Sequence, residues 1–320
     1  MSAMFFGTRE DEAQRLHEEA LARIDGRDLA GAREIARQLR GMRWSGAFEI
    51  EALAARAEGD LEGAVRVLEE GVGLAPGAWS LQQLLGTLCS ELGRLDRALE
   101  ALDAALRCEG VWVSSVRYNR AVARMRGGDV GGALADAESV LEDPATPPFT
   151  LDALRVAIDA LARLGRADDA ISLVRAVSSS LAKDDVDGRA ALAAFDALAR
   201  ARAGRGEDEV RGAIERAVEG LAMRSEVIDA LALLPAPEAR VRYRVTISAP
   251  RPPDAPVEIE GYLRVFEVRA HDEAHAVALA RALEPSSLRS AIAVEDVKVL
   301  GEDRGPARVV FASGRALFGA

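Results

Sequence analysis

Lysine is almost absent from this 320-residue chain: Lys183 and Lys298 stand against 39 arginines. Neither lysine follows a glycine, and no Gly-x-x-x-x-Gly-Lys-Ser/Thr segment occurs, which excludes a phosphate loop of the Walker type. The letters Asp272-Glu273-Ala274-His275 therefore carry no helicase meaning. Cysteine is equally scarce. Cys89 and Cys108 cannot build a disulfide framework or a four-thiolate zinc site, and no histidine stands nearby in sequence to activate either thiol. Aromatic residues make up 4% of the chain, which disfavours a β-sandwich and favours helices meeting through small side chains. No apolar run approaches the roughly 18 residues needed to span a bilayer. Residues 1–9 lack a basic segment followed by a long apolar stretch, so no secretion signal is expected and a cytoplasmic location is. Arginine in place of lysine, with alanine-rich helices, points to a GC-rich bacterial genome.

Charge is unevenly spread. Acidic residues outnumber basic ones by 52 to 41, for a net −11. Residues 236–320 hold 12 of each sign and are neutral, so the first part of the chain carries the whole excess. Such a field repels nucleic-acid phosphate and anionic membranes, and neither is an expected partner.

What the chain has in abundance is self-similarity. Gly59-Asp60-Leu61-Glu62-Gly63-Ala64 aligns without a gap on Gly93-Arg94-Leu95-Asp96-Arg97-Ala98, 34 residues later. Further copies are Gly128-Asp129-Val130-Gly131-Gly132-Ala133 and Gly165-Arg166-Ala167-Asp168-Asp169-Ala170. A weaker one is Arg27-Asp28-Leu29-Ala30-Gly31-Ala32, and a degenerate one lies around Gly204. Each unit reads as two helices. The glycine supplies a turn conformation that other residues resist. The alanine five residues on lies where two helices approach closely, and Leu68 and Leu102 share its face. Pro76 and Pro144 mark helix exits. The pairs expected are 10–41, 44–76, 78–110, 112–144, 149–183 and 186–221, with a last helix at 225–234 covering the end of the stack.

These units resemble the tetratricopeptide-repeat (TPR) family over about residues 10–221. The family's Leu-Gly pair appears as Leu85-Gly86, seven residues before the turn glycine Gly93. Its second-helix alanine is matched by Ala64, Ala98, Ala133 and Ala170, and its closing proline by Pro76. The first-helix aromatics are mostly replaced: Phe48 fills the Trp place in one unit, while Ala55 and Cys89 stand where Tyr would be. The resemblance implies an α-solenoid whose first helices line a groove for partner segments.

Composition shifts after Leu234. Pro235-Ala236-Pro237 reads as a boundary, and residues 241–248 alternate apolar and polar as a half-buried strand does. A proline-rich connection at 250–256, a second strand at 259–269, a helix at 272–283 and strands at 292–300 and 308–312 follow. The expected fold is mainly α: an N-terminal tail (1–9), a TPR-like solenoid with its capping helix (10–234), and a small α+β domain (235–320). The last has the order ββαββ and is roughly ferredoxin-like; its family is not recognised.

The chemistry-bearing candidates are few. His271 and His275, four apart, have a spacing that metal-binding histidines use, but no third ligand is evident. The acidic pairs Asp168-Asp169 and Asp184-Asp185 read as solvated helix-start groups. No catalytic residue and no cofactor is expected. By offset from each turn glycine, the groove takes His17, Glu18, Asp25, Glu49 and Arg56 from the first two units, towards its acidic end, and Glu91 from the third. Its middle and Arg-richer end take Gln83, Leu84, Thr87, Tyr118, Asn119, Val122, Arg126, Arg155, Asp159 and Arg163. Arginine pairs bidentately with carboxylates and Tyr118 is a stiff amphipathic anchor, so an acidic or extended protein segment is the expected ligand. The alternative at the same residues is ion pairing within the groove, Arg155 with Asp159 for instance. Family members that clamp a C-terminal carboxylate use lysines and asparagines, of which only Asn119 is present here. The leading reading is a non-enzymatic scaffold or adaptor. The others are an adaptor whose C-terminal domain senses a small ligand or is catalytic, with His271, His275, Tyr243 and Arg244 first in line, and a self-assembling homo-oligomer.

Overall fold

The computed structural model describes residues 8–143, 147–180, 186–219, 225–251 and 259–319. Most of the expected N-terminal tail, Pro144, the Asp184-Asp185 pair and most of the proline-rich connection lie outside them. The chain divides into two compact units, Met1–Ala160 and Leu161–Ala320.

The first unit is built from helical hairpins: α1 (Arg9–Asp25) with α2 (Leu29–Gly41), α3 (Gly46–Ala57) with α4 (Leu61–Leu74), α5 (Trp79–Glu91) with α6 (Leu95–Ala105), and α7 (Val113–Gly127) with α8 (Val130–Leu141). Helix α9 (Pro147–Arg163) runs across the division. These are the hairpins the repeat spacing predicts. Each first helix also packs on the first helix of the next hairpin, α1 on α3, α3 on α5 and α5 on α7, so these helices share one face.

Two local devices set the hairpin turn. The glycine before each second helix is left-handed where the repeat is strong, as at Gly93 (φ 74°) and Gly128 (φ 82°), and in the weak first copy Arg27 is forced into the same region (φ 61°). Where aspartate follows, it caps the second helix: the Gly31, Gly63 and Gly132 amides donate to Asp28, Asp60 and Asp129 at 3.0, 2.8 and 3.0 Å. A Cβ at any of those glycines would collide with the capping carboxylate. Hence the turn comes in two forms. Asp-x-x-Gly caps itself, whereas Arg94 and Arg166 are followed at the same distance by Arg97 and Asp169, and Arg94 makes no side-chain cap. Replacing Asp60 by Ala is expected to cost about 1 kcal/mol, read as a lowered urea midpoint. Arg94→Ala, which removes no cap, should leave that midpoint nearly unchanged.

The hairpins close on small residues. Ala64, Ala98 and Ala133 are fully buried, beside Leu68 and Leu102. A Cβ at Gly86 of α5 would stand 2.5 Å from Leu102 Cγ and 3.0 Å from the Ala98 carbonyl, which is why that helix carries glycine there. A buried charge joins α7 to α8: Asp136 accepts from Arg120 Nε and Nη2 at 2.9 and 2.6 Å and from Arg124 Nη1 at 2.8 Å.

The second unit holds α10 (Ala167–Ser180), α11 (Val186–Arg202), α12 (Glu207–Glu219) and α13 (Ser225–Leu233). Then come β1 (Glu238–Pro250), β2 (Ile259–Ala270), α14 (Glu273–Ala282), a 3₁₀ turn (Arg289–Ala291), β3 (Ala293–Pro306), β4 (Arg308–Ala312) and β5 (Ala316–Gly319). The sheet is antiparallel in the order β3-β1-β2-β4, with β5 also on β2. Val245 stands opposite both Phe266 and Val297. One apolar core runs from Ala194 and Ala197 of α11 through Val210, Ala213, Val227 and Ala230 to Tyr243, Val245, Phe266 and Ala276. Pro235-Ala236-Pro237 thus joins α13 to β1 inside this unit. The sequence pattern did not reveal β5, and it undershot β1 and β3, whose ends lack clean alternation.

Candidate functional site

On the face shared by the first helices lies a cavity of about 370 Å³. Helix α3 contributes Glu49, Leu53 and Arg56, at i, i+4 and i+7. Helix α5 contributes Trp79, Ser80, Gln83, Leu84 and Thr87, again one face, and the α7 end contributes Trp112, Ser115 and Asn119. Two indoles therefore meet the same opening. Trp112 is 44% exposed, and its ring meets Phe149 edge-on at 5.0 Å. Phe149 in turn stacks on Tyr118 at 5.9 Å.

The polar groups are arranged around Gln83. Its Nε2 donates to Ser115 Oγ at 3.0 Å, its carbonyl accepts from Thr87 Oγ1 at 3.0 Å, and Asn119 Nδ2 donates to the Ser115 carbonyl at 3.1 Å. Gln83 Oε1 is buried with no hydrogen-bond partner. A buried unsatisfied amide oxygen is costly, on the order of 1–3 kcal/mol, and a donor placed there would recover that energy. The charges nearby are matched: Arg56 pairs with Glu91, and Glu49 lies 3.9 Å from His17 Nε2. A wider space of about 680 Å³ is edged by Arg33, Arg37, Arg66, Glu51 and Glu70. Ion pairs such as Arg33–Glu58 and Arg40–Glu51 (both 2.6 Å) tie α2 to α3 and its C-terminal end there, and it has no aromatic wall.

Residues 55–123, which include most of the cavity wall, match the tetratricopeptide-repeat family model. Over these residues the hairpins match tetratricopeptide repeats. No curated protein matches the chain. Among solved structures, PilW, described as a widely conserved type IV pilus biogenesis factor, is similar at a TM-score of 0.53 and 15% identity, covering 68% of this chain and 98% of that one. PilF of Pseudomonas aeruginosa gives 0.53 at 12% identity, covering 71% and 99%. The APC/C Cut9–Hcn1 hetero-tetramer gives 0.50 at 15% identity, covering 70% and 43%. At such identities these likenesses speak for the fold alone.

Of the groove residues expected from the sequence, the TPR cavity gathers Gln83, Leu84, Thr87 and Asn119, together with Glu49 and Arg56. The remainder stand elsewhere. Tyr118 is half-buried against Phe149; burial first, and Asp152 second, push its phenol above the ordinary range while Arg126 opposes them. Val122 is outside the wall, and Arg126 donates to Ser90 Oγ at 2.9 Å. Arg155 and Asp159 pair at 3.3 Å, as their spacing allows, and Arg163 ends α9 in the second unit. The residues that sequence reasoning missed are Leu53, Ser80, Ser115 and, above all, the two tryptophans. A signal was present: the chain's three tryptophans, Trp44, Trp79 and Trp112, fall about one repeat apart, each at or just before a first helix.

The other candidates are structural in their contacts. His271 and His275 stack ring on ring at 4.9 Å, and the His271 amide donates to His275 Nδ1 at 3.4 Å. Asp272 caps α14 through the His275 amide. Among the described residues no group of three or more His, Cys, Asp or Glu side chains is set to hold a metal ion. Cys89 is fully buried, which pushes its thiol above the usual range, and Cys108 Sγ lies 3.4 Å from the Ala104 carbonyl. No described helix is long and apolar enough to cross a membrane.

Proposed function

We propose that the chain is a non-enzymatic adaptor that holds an extended segment of a protein partner along the first helices. An apolar side chain of the segment enters between Trp79 and Trp112, and a backbone N–H of the segment donates to Gln83 Oε1. The observation that carries this reading is the coincidence, in one cavity, of two indole walls and a buried acceptor without a donor. Rigid aromatic side chains lose little entropy on binding and dominate interface energetics. Acidic residues flanking the anchor are part of the proposal: Arg126 is exposed two turns beyond Tyr118, whereas Arg56 is already neutralised by Glu91. The reading moves the centre of the groove from Tyr118, Arg126 and Arg155 toward the tryptophans.

A random peptide display library panned on the full chain tests it. Wild type should enrich peptides with one large apolar residue flanked by acids. Trp79→Ala with Trp112→Ala should weaken the enriched peptides by about 30-fold or more, the loss expected for an aromatic hot spot. Arg126→Ala should relax the acidic preference and keep the apolar one. Equal enrichment by the tryptophan double variant, with its helicity intact, defeats the proposal.

A further inference from the structure

We propose that the second unit binds a small apolar carboxylate, the size of a single substituted ring, in a cavity between α12, α13, α14 and β4, with Arg308 holding the anionic end. This goes beyond the groove reading and does not rest on it.

The cavity has a volume of about 210 Å³, and its walls include Ile214, Leu234, Leu279, Leu283 and Val309. An apolar cavity of roughly 150 Å³ suffices for benzene, so one ring with its carboxylate fits here. Three arginines and a single glutamate border it: Arg211, Arg289, Arg308 and Glu215. Two of the arginines are already neutralised. Arg211 pairs with Glu207 at 2.7 Å, and Arg289 pairs with Glu215 at 3.1 Å while its Nε donates to the Glu284 carbonyl at 2.7 Å.

Arg308 differs. It donates through Nη1 to the Ala232 carbonyl, its Nε is buried without a partner, and no carboxylate of the described residues makes an ion pair with it. Burial holds this guanidinium below its usual range, and Arg269 nearby adds to the effect. A guanidinium against apolar walls is costly unless an anion meets it, and a carboxylate matches its fork. The ligand therefore needs an apolar body for the leucines and one negative charge for Arg308. A cation would face the arginines, and a bare phosphate would leave the apolar walls unfilled.

Thermal unfolding of the full chain, titrated separately with benzoate, benzyl alcohol and benzylamine, tests the inference. Benzoate should raise the melting temperature saturably. Benzyl alcohol, with the same ring and no charge, should bind about tenfold more weakly, the share of one charge-assisted hydrogen bond. Benzylamine should have no effect. Arg308→Gln should reduce benzoate to the level of the alcohol. Ala282→Phe, at an exposed residue of the cavity mouth, should abolish both effects without touching the core. Fluorine resonance shifts of 4-fluorobenzoate give a second readout that is independent of stability. No saturable response to benzoate by either readout, or an unchanged response in Arg308→Gln or Ala282→Phe, overturns the assignment.

Discussion

Glu284→Gln is expected to destabilise the second unit by about 3–5 kcal/mol, measured as a fall in the free energy of urea unfolding. Glu284 is fully buried, and among the described residues it is the only carboxylate that pairs with Arg264 and Arg315. It accepts from Tyr262 OH at 2.6 Å and from Arg264 Nη1 at 2.8 Å, with Arg315 Nη2 at 3.7 Å. Arg264 is 3% exposed, and burial holds it below the usual guanidinium range with the Glu284 charge as the main opposing influence. Glutamine keeps the shape and removes the charge, so Arg264 and Arg315 lose the one carboxylate that the described residues set against them. Removing one partner of such a pair costs more than removing both. Arg264→Met combined with Glu284→Gln should therefore recover part of the loss. A loss below about 1 kcal/mol for Glu284→Gln would mean that the site is far wetter than its burial indicates.

Ala98→Glu is expected to be comparably severe in the first unit, costing about 4 kcal/mol through overpacking and an unpaired buried charge. Ala98 is fully buried on α6, and its carbonyl already stands 3.0 Å from the place a Cβ at Gly86 would take. The arginines nearest in sequence, Arg94 and Arg97, are already paired with Glu62 and Glu100. Far-ultraviolet circular dichroism across a urea series checks this. Ala98→Gly, which empties the contact instead of filling it, should cost only about 1 kcal/mol. Similar midpoints for the two variants would show that the α5–α6 contact is looser than described.

The helical hairpins could be read from the chain because glycine and alanine recur at fixed spacing, and that spacing acts over a few residues. The paired requirement for Asp60 and Gly63 is equally local, but it lies in two positions that change together from repeat to repeat, not in those that recur. Trp79 and Trp112 were also within reach as a periodic signal. They lie away from the family's habitual place for its tryptophan, which Phe48 fills in one unit. The Glu284 cluster is different in kind. Tyr262, Arg264, Glu284 and Arg315 come from β2, the end of α14 and the approach to β5, and no spacing rule connects them. Likewise, the single core that crosses Pro235-Ala236-Pro237 depends on α11 and α12 meeting the sheet, a long-range fact that a composition shift conceals.

All three indoles, at positions 44, 79 and 112, belong to the first unit, while the second has only the phenols of Tyr243 and Tyr262. The molecule thus carries its own optical label. Emission excited at the red edge of the absorption band reports melting of one half alone, and dichroism reports both. Ala98→Glu should displace the emission transition, and Glu284→Gln should displace only the remainder of the dichroism. The two halves can in this way be followed separately in one cuvette, with no dye attached.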